Sequence, residues 1–168
     1  FLLTFRAGFS ITSDSRFSVK KGEEGGLNIV EFNDVPFVPA PWHGQDTLKL
    51  DNLNIEDVIF INKGTIEIQN WLILKNTSKQ KCVFINEGTI RRSYPESDTA
   101  AGWADYNNRP DPIQDFELQW SGHNCEFYNF GTITDLDKIL AKEGKCGSFF
   151  NYGYIHHNKE TIKFIKSK

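Results

Sequence analysis

The stretch Val58-Ile59-Phe60-Ile61-Asn62-Lys63-Gly64-Thr65-Ile66 recurs three times further along the chain, and a recurring unit limits a fold more than composition does. The later copies are Cys82-Val83-Phe84-Ile85-Asn86-Glu87-Gly88-Thr89-Ile90, Cys125-Glu126-Phe127-Tyr128-Asn129-Phe130-Gly131-Thr132-Ile133 and Gly147-Ser148-Phe149-Phe150-Asn151-Tyr152-Gly153-Tyr154-Ile155. Each copy alternates in the manner of a strand with one buried face. Val58, Cys82, Cys125 and Gly147 form one column of that face, the four Phe at 60, 84, 127 and 149 a second, and Ile66, Ile90, Ile133 and Ile155 a third. The Asn of each copy carries an amide able to bond the next Asn up a stack, and the Gly two residues later releases the backbone for a bend.

Asn62 and Asn86 are 24 residues apart, as are Leu48/Leu50 and Leu72/Leu74; Asn129 and Asn151 are 22 apart, but Asn86 and Asn129 are 43 apart. The long step is explained by a loop insertion at 92–112, rich in Gly, Pro, Asn and acidic residues and without alternation, after which Phe116 and Leu118 resume the place of Leu72 and Leu74. A period of 22 to 24 residues predicts an all-β chain wound as a right-handed parallel β-helix, a solenoid of about four rungs spaced ~4.8 Å. Such stacking sets Lys63 against Glu87 and Glu67 against Arg91, two opposite-charge neighbours. The alternative is an antiparallel β meander or sandwich, since Asn-x-Gly also suits a hairpin turn.

Residues 1–46 lack the repeat, contain strand-like segments at 1–5, 9–12, 16–19 and 27–32, and read as an N-terminal β cap or small subdomain. Residues 47–157 hold the rungs, and 158–168 close them as a C-terminal cap, strand or short helix. A net charge of -3 over 168 residues speaks against a nucleic-acid or anionic-membrane partner, and no apolar run is long enough for a membrane span. Three cysteines without CxxC spacing argue against a disulfide scaffold or zinc site. Opening on Phe1, the chain reads as a processed protein or a fragment of a longer fibre.

The Phe-x-Asn-x-Gly-Thr-Ile rungs resemble those of the right-handed parallel β-helix proteins, the pectin-lyase-like superfamily with its adhesin and virus-fibre relatives, over residues 47–157. The resemblance implies a fold and little about chemistry. Polysaccharide lyases and hydrolases of that superfamily imply a cluster of Asp with Arg or Lys on one outward sheet, and no such set stands at matching positions here.

Two groups of residues are candidates for binding. Tyr128, Phe130, Phe150, Tyr152 and Tyr154 fall on outward positions of the last two copies, beside Ile61 and Ile85, and suit a platform for sugar rings or a partner protein, or ordinary packing under a cap. The insertion gathers Trp103, Asp105, Tyr106, Asn107, Asn108, Arg109 and Asp111, an aromatic with amides and charges of the kind that carbohydrate recognition needs, or a solvated loop. Asp105, Asp111 and Asp115, or Asp135 and Asp137, read as surface charge, because neither set has calcium-loop spacing. His43, His123 and the pair His156-His157 have no evident metal partner. Cys82 and Cys125 read as core residues that would become neighbours, and could pair, if the insertion is excluded from the stack. Asn76-Thr77-Ser78 matches a glycosylation sequon.

These readings point to a structural or interaction protein without catalytic residues, metal or cofactor. Its partner is a protein, a second copy of itself or a glycan, at an extracellular, cell-surface or virion-surface location. The alternative is a carbohydrate-active enzyme, a polysaccharide lyase or glycoside hydrolase, using Asp105 and Asp111 with Arg109.

Overall fold

In the computed structural model every copy of the repeat divides at its Asn-x-Gly bend between two sheets. The structure describes residues 2–5, 16–23, 26–33, 47–77, 80–92, 116–141, 147–156 and 163–166, the first and last of these as backbone strands. The strands are β1 (Leu2–Phe5), β2 (Phe17–Lys20), β3 (Asn28–Phe32), β4 (Leu48–Glu56), β5 (Val58–Asn62), β6 (Thr65–Lys75), β7 (Cys82–Asn86) and β8 (Thr89–Arg92). They continue as β9 (Glu117–Trp120), β10 (Cys125–Asn129), β11 (Thr132–Thr134), β12 (Lys138–Ala141), β13 (Gly147–Asn151), β14 (Tyr154–His156) and β15 (Lys163–Lys166). No helix occurs among the described residues.

The six-stranded sheet has the order β13-β10-β7-β5-β3-β2, and the nine-stranded sheet runs β14-β11-β8-β6-β9-β12-β15, with β4 and β1 branching from β6. Within the six-stranded sheet the repeat is the register: Phe60 lies opposite Phe84, Phe84 opposite Phe127 and Phe127 opposite Phe149. β7 pairs directly with β10, so the long step between Asn86 and Asn129 adds no strand to this sheet between them. β3 is a further, degenerate member, with Val30 at the Phe position and Phe32 at the Asn position.

The expectation of a single right-handed parallel β-helix is corrected by this topology, and so is the antiparallel alternative. The strands make two sheets, one of them mixed, because β2 runs antiparallel to β3. The 24-residue offset that aligns β5 with β7 also aligns the first half of β6 with β8, but it does not govern the pairing of β4 with β6. There Leu48 and Leu50 lie opposite Ile66 and Ile68 rather than Leu72 and Leu74, and the register slips between Leu50 and Asn52. β6 is long enough to serve two neighbours, β8 along its first half and β9 along its second, so the nine-stranded sheet branches instead of adding one equal rung per period. Leu118 takes the place opposite Leu72, and Trp120, not Leu118, sits opposite Leu74. The hairpin reading fails because β5 and β6, on either side of Asn-x-Gly, belong to different sheets, while the repeated strands pair in parallel.

Between the sheets lies one apolar core. The rings of Phe60, Phe84, Phe127 and Phe149 stack at centroid separations of 5.0, 4.9 and 5.3 Å, set by the strand spacing. Facing them are Ile66, Ile90 and Ile133 from the other sheet, with Leu53, Ile55, Leu72, Leu74 and Leu118 beyond. At the bend the Asn side chains turn inward and are fully buried at positions 62, 86 and 129. Each donates to the next: Asn62 Nδ2 to Asn86 Oδ1 at 2.8 Å, Asn86 to Asn129 at 2.7 Å, and Asn129 to Asn151 at 2.8 Å. The same amides also donate to the carbonyls of Thr89, Thr132 and Tyr154. A polar column inside an apolar core is tolerated because its groups bond one another.

The repeated Gly has a different reason from the one the sequence suggests. A Cβ on Gly88, Gly131 or Gly153 would collide with the carbonyl oxygen of the Gly one copy below, so close stacking of the bends, not a left-handed backbone, excludes a side chain. Left-handed backbone occurs instead at Asp57 (φ 52°) and Asp135 (φ 62°). Asp57 is held there by its carboxylate, which accepts the Thr77 N–H at 3.0 Å and the Thr77 hydroxyl at 2.5 Å.

Outward charges follow the register in part. Glu67 binds Arg91, with Lys49 at 4.0 Å on its other side, but Lys63 reaches down to Glu31 at 3.1 Å rather than up to Glu87. Asn86→Ala removes the middle of the amide column and leaves Asn62 Nδ2 and Asn129 Oδ1 buried without that partner. It is expected to cost about 3 kcal/mol or more, against about 1 kcal/mol or less for Asn151→Ala at the exposed end. Denaturant unfolding of the two variants measures the difference.

Candidate functional site

The register that stacks Phe inside the core also stacks aromatic rings outside it. On β10 and β13 the outward positions are Tyr128 and Phe150, opposite each other; Phe130 and Tyr152 directly follow Asn129 and Asn151. Tyr128 and Phe150 stack at 4.8 Å and 17°, and Phe130 and Tyr152 at 5.1 Å and 10°. Along the strand, Tyr128 and Phe130 stand 6.5 Å apart with planes 4° from parallel. The four rings form a two-by-two array. Phe130 is 54 % exposed, Phe150 38 % and Tyr152 66 %, an unusual concentration of bare aromatic surface.

A polar network borders the array on the Tyr128 side. Lys81 Nζ donates to Glu126 Oε1 at 2.6 Å, and the Tyr128 hydroxyl donates to Glu126 Oε2 at 2.9 Å. The hydrogen bond to Glu126 raises the pKa of Lys81 and of Tyr128, while the bond from Lys81 holds the Glu126 carboxyl below its ordinary value. One carboxylate therefore orients both the phenol at the corner of the array and the neighbouring ammonium.

Of the residues singled out from sequence, Tyr128, Phe130, Phe150 and Tyr152 come together. Tyr154 is 60 % exposed but belongs to β14 in the other sheet. Trp103, Asp105, Tyr106, Asn107, Asn108, Arg109, Asp111 and Asp115 lie outside the described residues, as do His43 and His157.

The remaining candidates have structural roles. Asp135 sits in its left-handed turn with its N–H donating to the His156 carbonyl, and His156 is exposed on β14. Asp137 is buried, accepts the Phe116 N–H at 2.9 Å and pairs with buried Arg92 at 3.5 Å. Arg92 stands opposite Ile68, a core position, so this inward ion pair is invisible to a reading that assigns charges to the surface. In the sequon, Asn76 donates to the Gln80 carbonyl and accepts the His123 N–H at 3.2 Å, while the Thr77 hydroxyl is bound to Asp57; both groups are engaged in the turn structure.

Cys82 and Cys125 are opposite each other, buried and free. Their thiols donate to the carbonyls of Ile55 and Leu74, each at 3.4 Å. The neighbouring Cys125 thiol, then burial, pushes the Cys82 thiol well above its ordinary value. Trp120 fills the space that closes this column: a Cβ on Gly147 would run into its indole ring, which explains why Val58, Cys82 and Cys125 give way to Gly.

Among the described residues, no group of three or more His, Cys, Asp or Glu is placed to hold a metal ion, and no helix is long and apolar enough to cross a membrane. Compared with family models, curated proteins and solved structures, the chain matches none.

The network has a pH signature. The Glu126 carboxylate contributes above its ordinary value of 4.5, and the contribution disappears as pH falls through its lower folded value. The Tyr128 phenol contributes below 10.0 and loses its contribution as pH rises through its higher folded value. Ultraviolet titration of tyrosinate is expected to show one phenol ionising late, absent in Tyr128→Phe and returned toward the ordinary value in Glu126→Gln.

Proposed function

We propose that this chain is a non-catalytic interaction module, a stacked two-sheet scaffold that presents the Tyr128–Phe130–Phe150–Tyr152 array to a partner protein. The observation that carries the reading is the array itself: four near-parallel rings, three of them substantially exposed, on a backbone immobilised by parallel pairing and a buried amide column. Aromatic side chains with few rotatable bonds dominate binding energy at protein interfaces because they bury much area at small entropic cost. A rigid array adds to that advantage, since little ordering remains to be done on association.

Ring orientation favours a protein over a glycan. Sugar recognition uses an open ring face, whereas Tyr128 and Phe150, and likewise Phe130 and Tyr152, turn one face toward each other. What the array offers along the sheet is ring edges, which suit the edge-to-face and aliphatic contacts of protein side chains. The Glu126–Lys81 pair at its border supplies a polar rim of the kind that surrounds an interface core.

A photo-crosslinking phenylalanine analogue at position 130, compared with one at exposed position 49, tests the reading in the native setting. Position 130 is expected to give a discrete protein adduct that position 49 does not, and Tyr152→Ala is expected to abolish it. With that partner purified, Phe130→Ala is expected to weaken binding roughly 30-fold, about 2 kcal/mol. Equal adducts at both positions, or retention on immobilised polysaccharide that Phe130→Ala removes, would overturn it.

A further inference from the structure

We infer that the β13–β14 end of the stack is a self-association surface, on which a second copy of this chain docks end to end through its own β13–β14 edge. Both sheets finish at this end, the six-stranded one on β13 and the nine-stranded one on β14. The contact uses the edge of β13 rather than its outer face, so it stands whether or not the array binds a partner.

At this end each column of the fold stops, among the described residues, without its next member. The carbonyl of Asn62 accepts the N–H groups of Glu87 and Gly88, that of Asn86 those of Phe130 and Gly131, and that of Asn129 those of Tyr152 and Gly153. Among the described residues nothing takes the same place above Asn151. Its side-chain oxygen accepts from Asn129, but its Nδ2, which in every earlier copy donates to the next Asn, turns back to the Gly153 carbonyl at 3.3 Å and is exposed. Backbone groups alternate sides along a strand. The N–H of Tyr152 points to β10, so those of Ser148 and Phe150 do too, while the N–H and C=O groups of Phe149 and Asn151 point outward. The far ring faces of Phe149, Phe150 and Tyr152, last in their stacks among the described residues, turn the same way.

The residues here lack the devices that keep an edge alone. Edge strands are ordinarily guarded by charge, Pro or a bulge. From Gly147 to Ile155 there is no charged residue and no Pro, and β13 pairs with β10 without a break in register. The opposite edge of the same sheet is closed differently, by β2, which runs antiparallel and exposes Lys20. A neutral end meeting its own copy brings no like charges together, and a two-fold contact closes on itself at two copies. Such a contact pairs β13 with its equivalent in antiparallel fashion, a reversal that β3 already accepts from β2.

Asn151→Asp separates this edge from the fold. The carboxylate still accepts from Asn129 Nδ2, but the outgoing donor is lost, and a negative charge is set at each end of the otherwise neutral antiparallel seam. In sedimentation of the full chain across the micromolar to millimolar range, wild type and Phe130→Ala are expected to show a reversible monomer–dimer equilibrium. Asn151→Asp is expected to raise the dimer dissociation constant roughly tenfold or more. Hydrogen exchange on the wild-type chain gives a readout that needs no variant: the amides of Phe149 and Asn151 should slow as concentration rises. Three results overturn the inference. One is a monomer at every concentration with those amides exchanging fast; the second is slow exchange already in the monomer, which would mean that the chain covers its own edge. The third is open-ended assembly, which would place β2 rather than β13 across the seam.

Discussion

Parallel strands repeat their side chains directly above one another, and this in-register stacking is the constraint on which the rest of the structure depends. A residue that packs poorly against its own kind is penalised in every copy, while one that bonds or stacks with itself gains each time. Asn and Phe are the residues that gain here. The amide column satisfies its own donors and acceptors as it passes through an apolar interior, where an isolated amide would cost roughly 1–3 kcal/mol. The Phe column fills the space beside it at a separation set by the strand spacing. Close stacking also explains the Gly at 88, 131 and 153, because the carbonyl of one bend occupies the place where the next would carry a Cβ.

The outer face obeys the same geometry with a different result. Charges alternate where neighbouring copies carry opposite signs, as at Lys49, Glu67 and Arg91, and rings stack where they carry aromatics, as at Tyr128 over Phe150. The scaffold and the candidate binding surface are therefore two sides of one register. Because β10 and β13 are pinned from within by Phe127, Phe149 and the Asn129–Asn151 bond, the array on their outer side is held rigid by the core. The polar network at Glu126 fixes one corner of it, where Tyr128 and Lys81 share a carboxylate.

Much of the six-stranded sheet was legible in the linear order of residues. The repeat identifies strands, inward columns, the amide ladder and the adjacency of Cys82 and Cys125, because each depends only on residues that recur at equivalent positions. Four of the array residues were legible for the same reason. Tyr154 was grouped with them, although the chain bends at Gly153 and delivers it to the other sheet. The inward Arg92–Asp137 pair had no signal at all, since an Arg at the end of a strand carries no mark of pointing toward the core.

By itself, then, the sequence determined an all-β chain, the parity of the repeated strands and the identity of the columns, since local alternation and recurrence need no knowledge of what the other half of each copy does. Only the tertiary structure decided that the halves form two sheets rather than one uniform coil. The reason is physical: β4 and the second half of β6 lie away from the Asn-x-Gly bend that aligns β5, β7, β10 and β13, so their register is set by how Leu53, Ile55, Leu72 and Leu74 pack, and a long β6 satisfies two neighbours at once. Burial chose the register where no repeated side chain was present to choose it.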